Sequence, residues 1–292
     1  MQELKNADLI VNADGSIYHL GLRPEDIAET IILVGDPQRV AKVTKHFDSI
    51  EFTRQKREFI TSTGRVGNKR MTVMATGIGV DNIDIVINEL DALVNVDLKS
   101  RRIKEEHTAL NFIRLGTSGA VRKDLPVASL VAANYGIGFD GLMLFYDQHL
   151  TDKTKGLQQN FNNYLSSINF NFPITPTFAS ASDKLLSKFQ GDAWTNGITA
   201  TATGFYAPQN RTIRAKSIIP DLFDQVEGFE YDGLNLTNLE METSAIFGLS
   251  NILGHHALAL NVILANRRTG DFAREPKEME HKLIRAFFEV MG

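Results

Sequence analysis

An arginine set inside a buried-strand pattern narrows what this chain can fold into. Leu110 to Val121 reads LNFIRLGTSGAV, with Leu110, Phe112, Ile113 and Leu115 apolar around Arg114. An unpaired guanidinium in a core costs several kcal/mol. A fold that buries this strand must therefore bring an anion to Arg114, either a neighbouring carboxylate or a bound one. Gly116-Thr117-Ser118-Gly119 follows, two hydroxyls between glycines, where backbone N–H groups can approach an oxyanion closely. An internal Arg–Glu pair ending a core strand, followed by an ordinary turn, accounts for the same residues. Both readings stay open at this point.

The rest of the chain supplies strands and helices in alternation. Thr30 to Val34 is a continuous β-branched run that stops at Gly35-Asp36-Pro37, and Val40, Val43 and Phe47 then recur at helical spacing. Strand, glycine turn and helix in succession leave free N–H groups at the helix start, where anions bind. Before them, residues 1–30 read as an extended arm, with Asp14-Gly15 a hairpin tip and Pro24 opening a short helix. Residues 59–66 and 70–76 read as strands joined at Gly67-Asn68. The second runs into Thr76-Gly77-Ile78-Gly79 and a helix over 81–94, with Ile83, Ile87, Leu90 and Val94 on one stripe.

Residues 97–108 are charged and aperiodic, which predicts a solvated insertion. Ser129 to Tyr135 is a further apolar run, and 150–172, rich in Asn, Gln and Ser, reads as a surface excursion. A strand over 198–203 leads into Gly204-Phe205-Tyr206, and 215–238 is poorly periodic. Helices are expected at 240–253 and 276–291, around a buried strand at 257–265. No repeat or Pro/Ser linker divides the chain, so the expectation is one α/β domain over 1–292, its sheet mostly parallel and flanked by helices on both faces.

Composition excludes some chemistry. The chain has no cysteine, hence no disulfide, thiolate nucleophile or cysteine-type zinc site. A net charge of −4 argues against a nucleic-acid surface. The start MQELKNADLIVNADG lacks the pattern of a secretory signal, and Ala257 to Ala265 is too short to span a bilayer. A cytoplasmic protein without nucleic-acid or membrane partners is expected. HExxH, Walker A and GxGxxG motifs are absent, as is a recognisable Ser-His-Asp series.

Glu242 is the second informative charge. On the expected helix it shares a face with Ile246, Leu249 and Leu253, the stripe that should be buried. It either complements the dipole of the first helical turn or accepts hydrogen bonds from a polyol. Gln209 and Arg211 would point the same way if the chain there is extended. An amide beside a guanidinium matches a flat heterocycle with adjacent carbonyl and N–H groups, although a solvated loop also explains the pair. From the residues alone, His19 reads as a packed or exposed histidine, and Arg39 and Arg57 as surface ion-pair partners.

In order along residues 17–270, the stretches YHLGL (18–22), VGDPQRV (34–40), KREF (56–59), ATGIGVDN (75–82), IRLGTSGAV (113–121), GFYAPQNR (204–211), EMET (240–243) and LANR (264–267) resemble the nucleoside phosphorylase-I family, and within it the uridine phosphorylases. The resemblance implies a single α/β domain around a distorted mixed sheet. It also implies homo-oligomers, dimers or hexamers of dimers, with active sites shared between paired subunits. Gly35, Arg39, Arg114 and Thr117 would bind phosphate, helped by Arg57 of a neighbouring subunit. Glu240, Met241 and Glu242 would hold ribose, with Ser118 beside them where the family usually has a second threonine. His19 of a partner would reach the 5′ hydroxyl. Phe205 would stack near the base, with Ser118, Gly119, Leu264, Ala265 and Arg267 around it, and Gln209 and Arg211 on the uracil edge.

Hexameric purine phosphorylases carry a Ser-Asp pair after the late strand, where this chain reads Asn266-Arg267. Pyrimidine is thus favoured over purine. The implied reaction is reversible phosphorolysis of uridine to uracil and ribose 1-phosphate, with Arg114, Gln209, Arg211 and Glu242 carrying the chemistry. It needs no cofactor, and inorganic phosphate is the co-substrate. A monovalent-cation site of some relatives maps to Glu58, Ile78 and Asn82, the last replacing a serine. The alternatives are a purine nucleoside or methylthioadenosine phosphorylase or nucleosidase, and a nucleoside-binding protein without turnover.

Overall fold

The computed structural model describes residues 3–148, 150–170, 174–219 and 221–292. In chain order the elements are β1 (Thr30–Val34), α1 (Pro37–Thr44), β2 (Ser49–Lys56), β3 (Phe59–Val66), β4 (Lys69–Ala75), α2 (Val80–Asn95), β5 (Val96–Asp97), β6 (Arg102–Ile103), β7 (Asn111–Ala120) and β8 (Leu130–Phe139). They continue with α3 (Asp152–Ser167), β9 (Thr177–Ser180), α4 (Asp183–Leu186), β10 (Thr195–Ala202), α5 (Leu222–Val226), β11 (Glu230–Tyr231), β12 (Leu234–Glu240), α6 (Thr243–Leu253), β13 (His256–Asn266) and α7 (Pro276–Met291).

One mixed sheet runs β11-β12-β10-β8-β13-β7-β1-β4-β3-β2, with β9 on β8. Its middle is parallel, β4-β1-β7-β13, as continuous apolar runs such as Ile31–Val34 require when both faces are covered. Each such side chain contributes roughly 1.5–3 kcal/mol on full burial. Antiparallel ladders flank that middle: β2-β3-β4 on one side and β13-β8 on the other.

One additional pairing shapes the site. The end of β7 also pairs with β12, antiparallel, through Asn238↔Ala120 and Leu239↔Gly119. The ladders β7-β13-β8-β10-β12 therefore close into a ring. Carried one step further, that register sends Glu240 and Glu242 back along β7, past Ser118 toward Gly116 and Arg114.

Several local expectations change. Gly116-Thr117-Ser118-Gly119 is not a turn but the second half of β7, because β13 pairs with it throughout. A Cβ on Gly116 would fall 1.3 Å from Nη1 of Arg114, so glycine leaves room for the guanidinium to lie over the strand. β8 likewise runs through Gly136 and Gly138, where α6 packs against the backbone. The polar segment 150–172 holds α3, whose Leu157, Phe161 and Leu165 recur at i, i+4 and i+8 and are buried; residues 171–172 lie outside the described residues. Segment 215–238, apart from Pro220, which is also outside them, contains α5, β11 and most of β12. β12 is buried on both faces, so it shows no alternation to read.

The insertion at 97–108 is pinned rather than loose. β5 and β6 form a hairpin, and Leu4 N–H donates to Arg101 O at 2.8 Å. His107 donates from Nε2 to Leu253 O at 2.9 Å and stacks on His255. Asp91, His107 and His255 bring potential ligand atoms together, but His255 Nδ1 accepts the Leu110 N–H at 3.1 Å, which leaves its proton on Nε2, facing Asp91 at 3.1 Å. With both nitrogens so engaged, the trio is a hydrogen-bonded clamp and not a metal centre. No helix among the described residues is long and apolar enough to cross a membrane.

Candidate active site

Arg114 points from the middle of β7 into a buried pair of carboxylates. Its Nη2 bonds to Glu242 Oε2, its Nε lies 3.4 Å from Glu240 Oε2, and its Nη1 donates to Asn261 Oδ1 at 3.3 Å. Arg114, Glu240 and Glu242 are 6%, 4% and 3% exposed. The anion demanded by the sequence is thus an internal carboxylate, and it is the same Glu242 selected for the sugar.

Glu242 does not lie on the helical stripe. It precedes the first residue of α6, and Glu240 ends β12, where it pairs with Thr201 of β10. Sheet pairing takes these residues out of the helix. Glu240 caps α6, accepting from Glu242 N–H (3.0 Å) and Thr243 N–H (3.0 and 3.1 Å), and accepts from the Thr201 hydroxyl at 2.8 Å. Glu242 Oε1 takes the N–H of Gly79, at 2.7 Å, at the start of α2. Gly79 has φ +102°, a backbone region that favours glycine. The dipole assisting Glu242 is therefore that of α2 rather than its own helix.

Burial opposes the charge of Arg114, but Glu242 and then Glu240 outweigh it and hold the guanidinium above its ordinary value. Burial pushes Glu240 up; Arg114 opposes that shift and Glu242 adds to it.

Arg39, 6% exposed, approaches from α1: Nη1 donates to Leu115 O at 3.1 Å and Nη2 to Glu280 of α7 at 2.9 Å. Its buried Nε has no partner among the described residues, a donor suited to an oxyanion. Gly35 lies between β1 and α1, against the Gly77 carbonyl. Thr117 is half-buried on β7 opposite Val262, and Ser118 Oγ accepts from Asn238 at 2.9 Å, which leaves its proton free to donate.

Glu280 also binds Lys42 at 2.6 Å. Burial raises its carboxyl, yet the hydrogen bonds from Arg39 and Lys42 prevail and hold it below its usual 4.5. A depressed carboxylate contributes stability above its unfolded pKa and loses it as pH falls through the folded one. We expect Glu280→Gln to lower the melting temperature at pH 7 and the deficit to close as pH drops below about 4; a pH-independent deficit in thermal melts would refute this.

At the other end, Gln209 closes a 3-10 turn, Ala207–Gln209, and Asn210 is left-handed at φ +56°. The chain is therefore not extended, contrary to the spacing argument, but the pair still meets: Arg211 Nη1 donates to Gln209 Oε1 and, at 3.0 Å, to Phe205 O. The Arg211 guanidinium stacks 3.8 Å from the Phe205 ring centroid. Arg267 donates to Asn210 O at 3.2 Å and its stem packs at Gly119, which joins this cluster to β7. Partial burial, then the Arg267 charge, draws Arg211 down to about 10, so it stays cationic at neutral pH. Leu264 and Ala265 sit at a bulge in β13 beside Gly119, and Met241 is half-buried between Glu240 and Glu242. A cavity of about 210 Å³ opens beside Arg211, lined also by Tyr206, Ile213 and Arg214, without reaching the carboxylates.

Asn266 is locked. Its amide nitrogen donates to Arg122 O and Leu125 O, both at 2.8 Å, and its oxygen accepts from Arg268 N–H and Thr269 N–H. Arg268 in turn ties α5 to the exit of β13 through Asp224 and Glu227.

His19 and Arg57 form a separate cluster. Arg57, exposed in the β2–β3 turn, lies over the Tyr18 ring at 5.5 Å, and Tyr18 meets His19 edge-on at 4.7 Å. His19 Nδ1 lies 2.6 Å from Glu89 of α2, a residue the sequence reading overlooked for want of any motif. Glu89 lies ten positions beyond Gly79, about 15 Å along α2. Glu58 and Asn82 both flank Gly77, next to Ile78.

Comparison with known proteins agrees with this geometry. Over 281 residues the chain is 26% identical to a uridine phosphorylase from Thermococcus kodakarensis, covering 94% of this chain and 86% of that protein. It is 27% identical to a DeoD-type purine nucleoside phosphorylase from Listeria welshimeri, covering 87% and 88%. A crystal structure of a Trypanosoma brucei nucleoside phosphorylase that shows uridine phosphorylase activity superposes with a TM-score of 0.85 at 28% identity, covering 97% of this chain and 99% of that one. The phosphorylase superfamily profile matches residues 29–291. The chain therefore belongs to the phosphorylase superfamily and is an enzyme of the nucleoside phosphorylase kind.

Proposed function

We propose that this protein is a uridine phosphorylase of pyrimidine nucleoside salvage. The observation that carries the reading is the Gln209–Arg211 pair beside Arg267, whose stem packs at Gly119 of the same β7 that carries Arg114 to Glu242. Phosphate binds Arg114, Arg39, Thr117 and the Gly35 backbone, joined by Arg57 of a second subunit. Glu242 grips the 2′ and 3′ hydroxyls, with Glu240 and Met241 beside it. A phosphate oxygen forms the bond to C1′ as the C1′–N1 bond breaks. The electron pair moves onto uracil, whose carbonyls face Gln209 and Arg211, and N1 then gains a proton. No covalent enzyme intermediate is involved; catalysis is positioning and electrostatic stabilisation.

Two observations favour pyrimidine over purine. Position 267 is a cation where the purine enzymes place an acid, and the Asn266 amide is fully occupied by backbone groups. The separation of His19 from Glu242 along α2 favours a homodimeric unit in which each chain completes its partner's site. Phosphate enters as co-substrate, and no cofactor takes part.

The test is uracil release from uridine with and without phosphate. Release is expected only with phosphate, with ribose 1-phosphate formed one for one. Equal release without phosphate would make the protein a hydrolase, and cleavage of inosine in preference to uridine would return it to the purine branch.

A further inference from the structure

We propose that Glu89 is a positioning residue that fixes His19 as a hydrogen-bond acceptor for the 5′ hydroxyl of a ribose held in the partner's site. This rests on the uridine phosphorylase reading and adds a residue to it. One carboxylate holds the whole turn. Glu89 accepts the backbone N–H of His19 through both oxygens (2.9 and 3.0 Å), the N–H of Leu20 at 2.9 Å, and the ring Nδ1 at 2.6 Å.

A carboxylate only accepts, so Nδ1 carries a proton, and the tautomer this contact selects for the uncharged ring has its lone pair at Nε2. Tyr18 packs edge-on against the ring, and 30% of the His19 side chain remains exposed. His19 is therefore oriented twice, by its own backbone and by its ring, while Nε2 takes no hydrogen bond from the described residues. The group it suits is a hydrogen-bond donor, which a sugar hydroxyl supplies and a 5′-deoxy sugar lacks.

Glu89→Gln keeps the size but brings an NH₂ group, which can donate to Nδ1 and drive the proton to Nε2. Two measurements on the full-length protein test the proposal. In long-range ¹H–¹⁵N spectra near pH 8, His19 is expected as the Nδ1–H tautomer, and that signature is expected to disappear in Glu89→Gln. The ratio of kcat/KM for uridine over 5′-deoxyuridine, both with phosphate, is expected to fall about tenfold in Glu89→Gln, the worth of one oriented hydrogen bond. In the His19→Ala background, Glu89→Gln is expected to leave that ratio where His19→Ala alone puts it.

An Nε2–H tautomer in the wild-type protein overturns the proposal. So does a Glu89→Gln variant that slows both substrates in equal proportion, since that is the mark of a structural role alone. Failure of the wild-type protein to cleave uridine is a different result: it removes the phosphorylase reading before any variant is made.

Discussion

Replacing Arg114 with alanine is expected to cut kcat/KM for uridine by about a thousandfold or more and to destabilise the fold at the same time. Both effects come from one geometry. Arg114 is the counter-charge to two carboxylates that are themselves at most 4% exposed. Removing one partner of a buried ion pair costs about 3–5 kcal/mol, because the charge left behind has neither water nor partner. Charge-assisted hydrogen bonds to phosphate are worth about 1.5–3 kcal/mol each, so two lost from a transition state give the rate loss.

The two effects separate in a double variant. Adding Glu242→Gln to Arg114→Ala removes one stranded charge and is expected to restore part of the melting temperature without restoring turnover. Arg114→Lys keeps a charge but not the planar fork that spans Glu240, Glu242 and Asn261. It is expected to fall between wild type and alanine in both assays. Wild-type kinetics in Arg114→Ala would show that the guanidinium is a core ion pair and nothing more.

Glu242→Gln is expected to lower kcat/KM for uridine about a hundredfold and to erase most of the preference for uridine over 2′-deoxyuridine. One Glu242 oxygen receives the Gly79 N–H and the other the Arg114 guanidinium. An amide accepts through only one atom, so its NH₂ must face one of these donors and leave it unsatisfied, at a cost of about 1–3 kcal/mol. The group proposed to read the sugar is thereby turned as well as neutralised. Parallel kinetics on uridine and 2′-deoxyuridine check this; an unchanged ratio with full uridine activity would take Glu242 out of the sugar site.

The two effects differ in kind, and this follows from which atoms each residue shares. Arg114 touches both carboxylates, so its loss reaches stability and phosphate together. Glu242 is shared between Gly79 at the start of α2 and one arm of Arg114, so its loss leaves Arg114 its Glu240 and Asn261 partners and acts chiefly at the sugar end.

What the sequence disclosed followed from how local each signal was. β1, β3, β4 and α7 were legible because their patterns are complete within one element: an unbroken β-branched run, a glycine turn between strands, a proline at a helix start. β12 was not, because the five residues from Leu236 to Glu240 are all buried, polar and apolar alike, and show no alternating exposure. α3 was obscured by a polar composition that concealed Leu157, Phe161 and Leu165.

The site behaved likewise. Arg114 was identifiable because a charge in an apolar run needs an explanation from afar, and Glu242 because an acid next to an apolar helix does too. Their pairing was not readable, since it depends on β12 returning antiparallel along β7. Glu89 gave no signal at all: an acid on the surface of a helix is ordinary until the chain places His19 against it. The position of Glu280 behind Arg39 depends on a contact spanning 241 residues, which no spacing rule reaches.

Arg114, held between its own carboxylates, is expected to bind inorganic phosphate, and Glu242 to bind the sugar. A crystal structure with phosphate and a non-cleaved uridine analogue bound tests it directly. A phosphate oxygen is expected about 2.8 Å from the Arg114 guanidinium, with Glu242 on the 2′ and 3′ hydroxyls. Phosphate and nucleoside bound elsewhere, with Arg114 engaged only by Glu240 and Glu242, would contradict it.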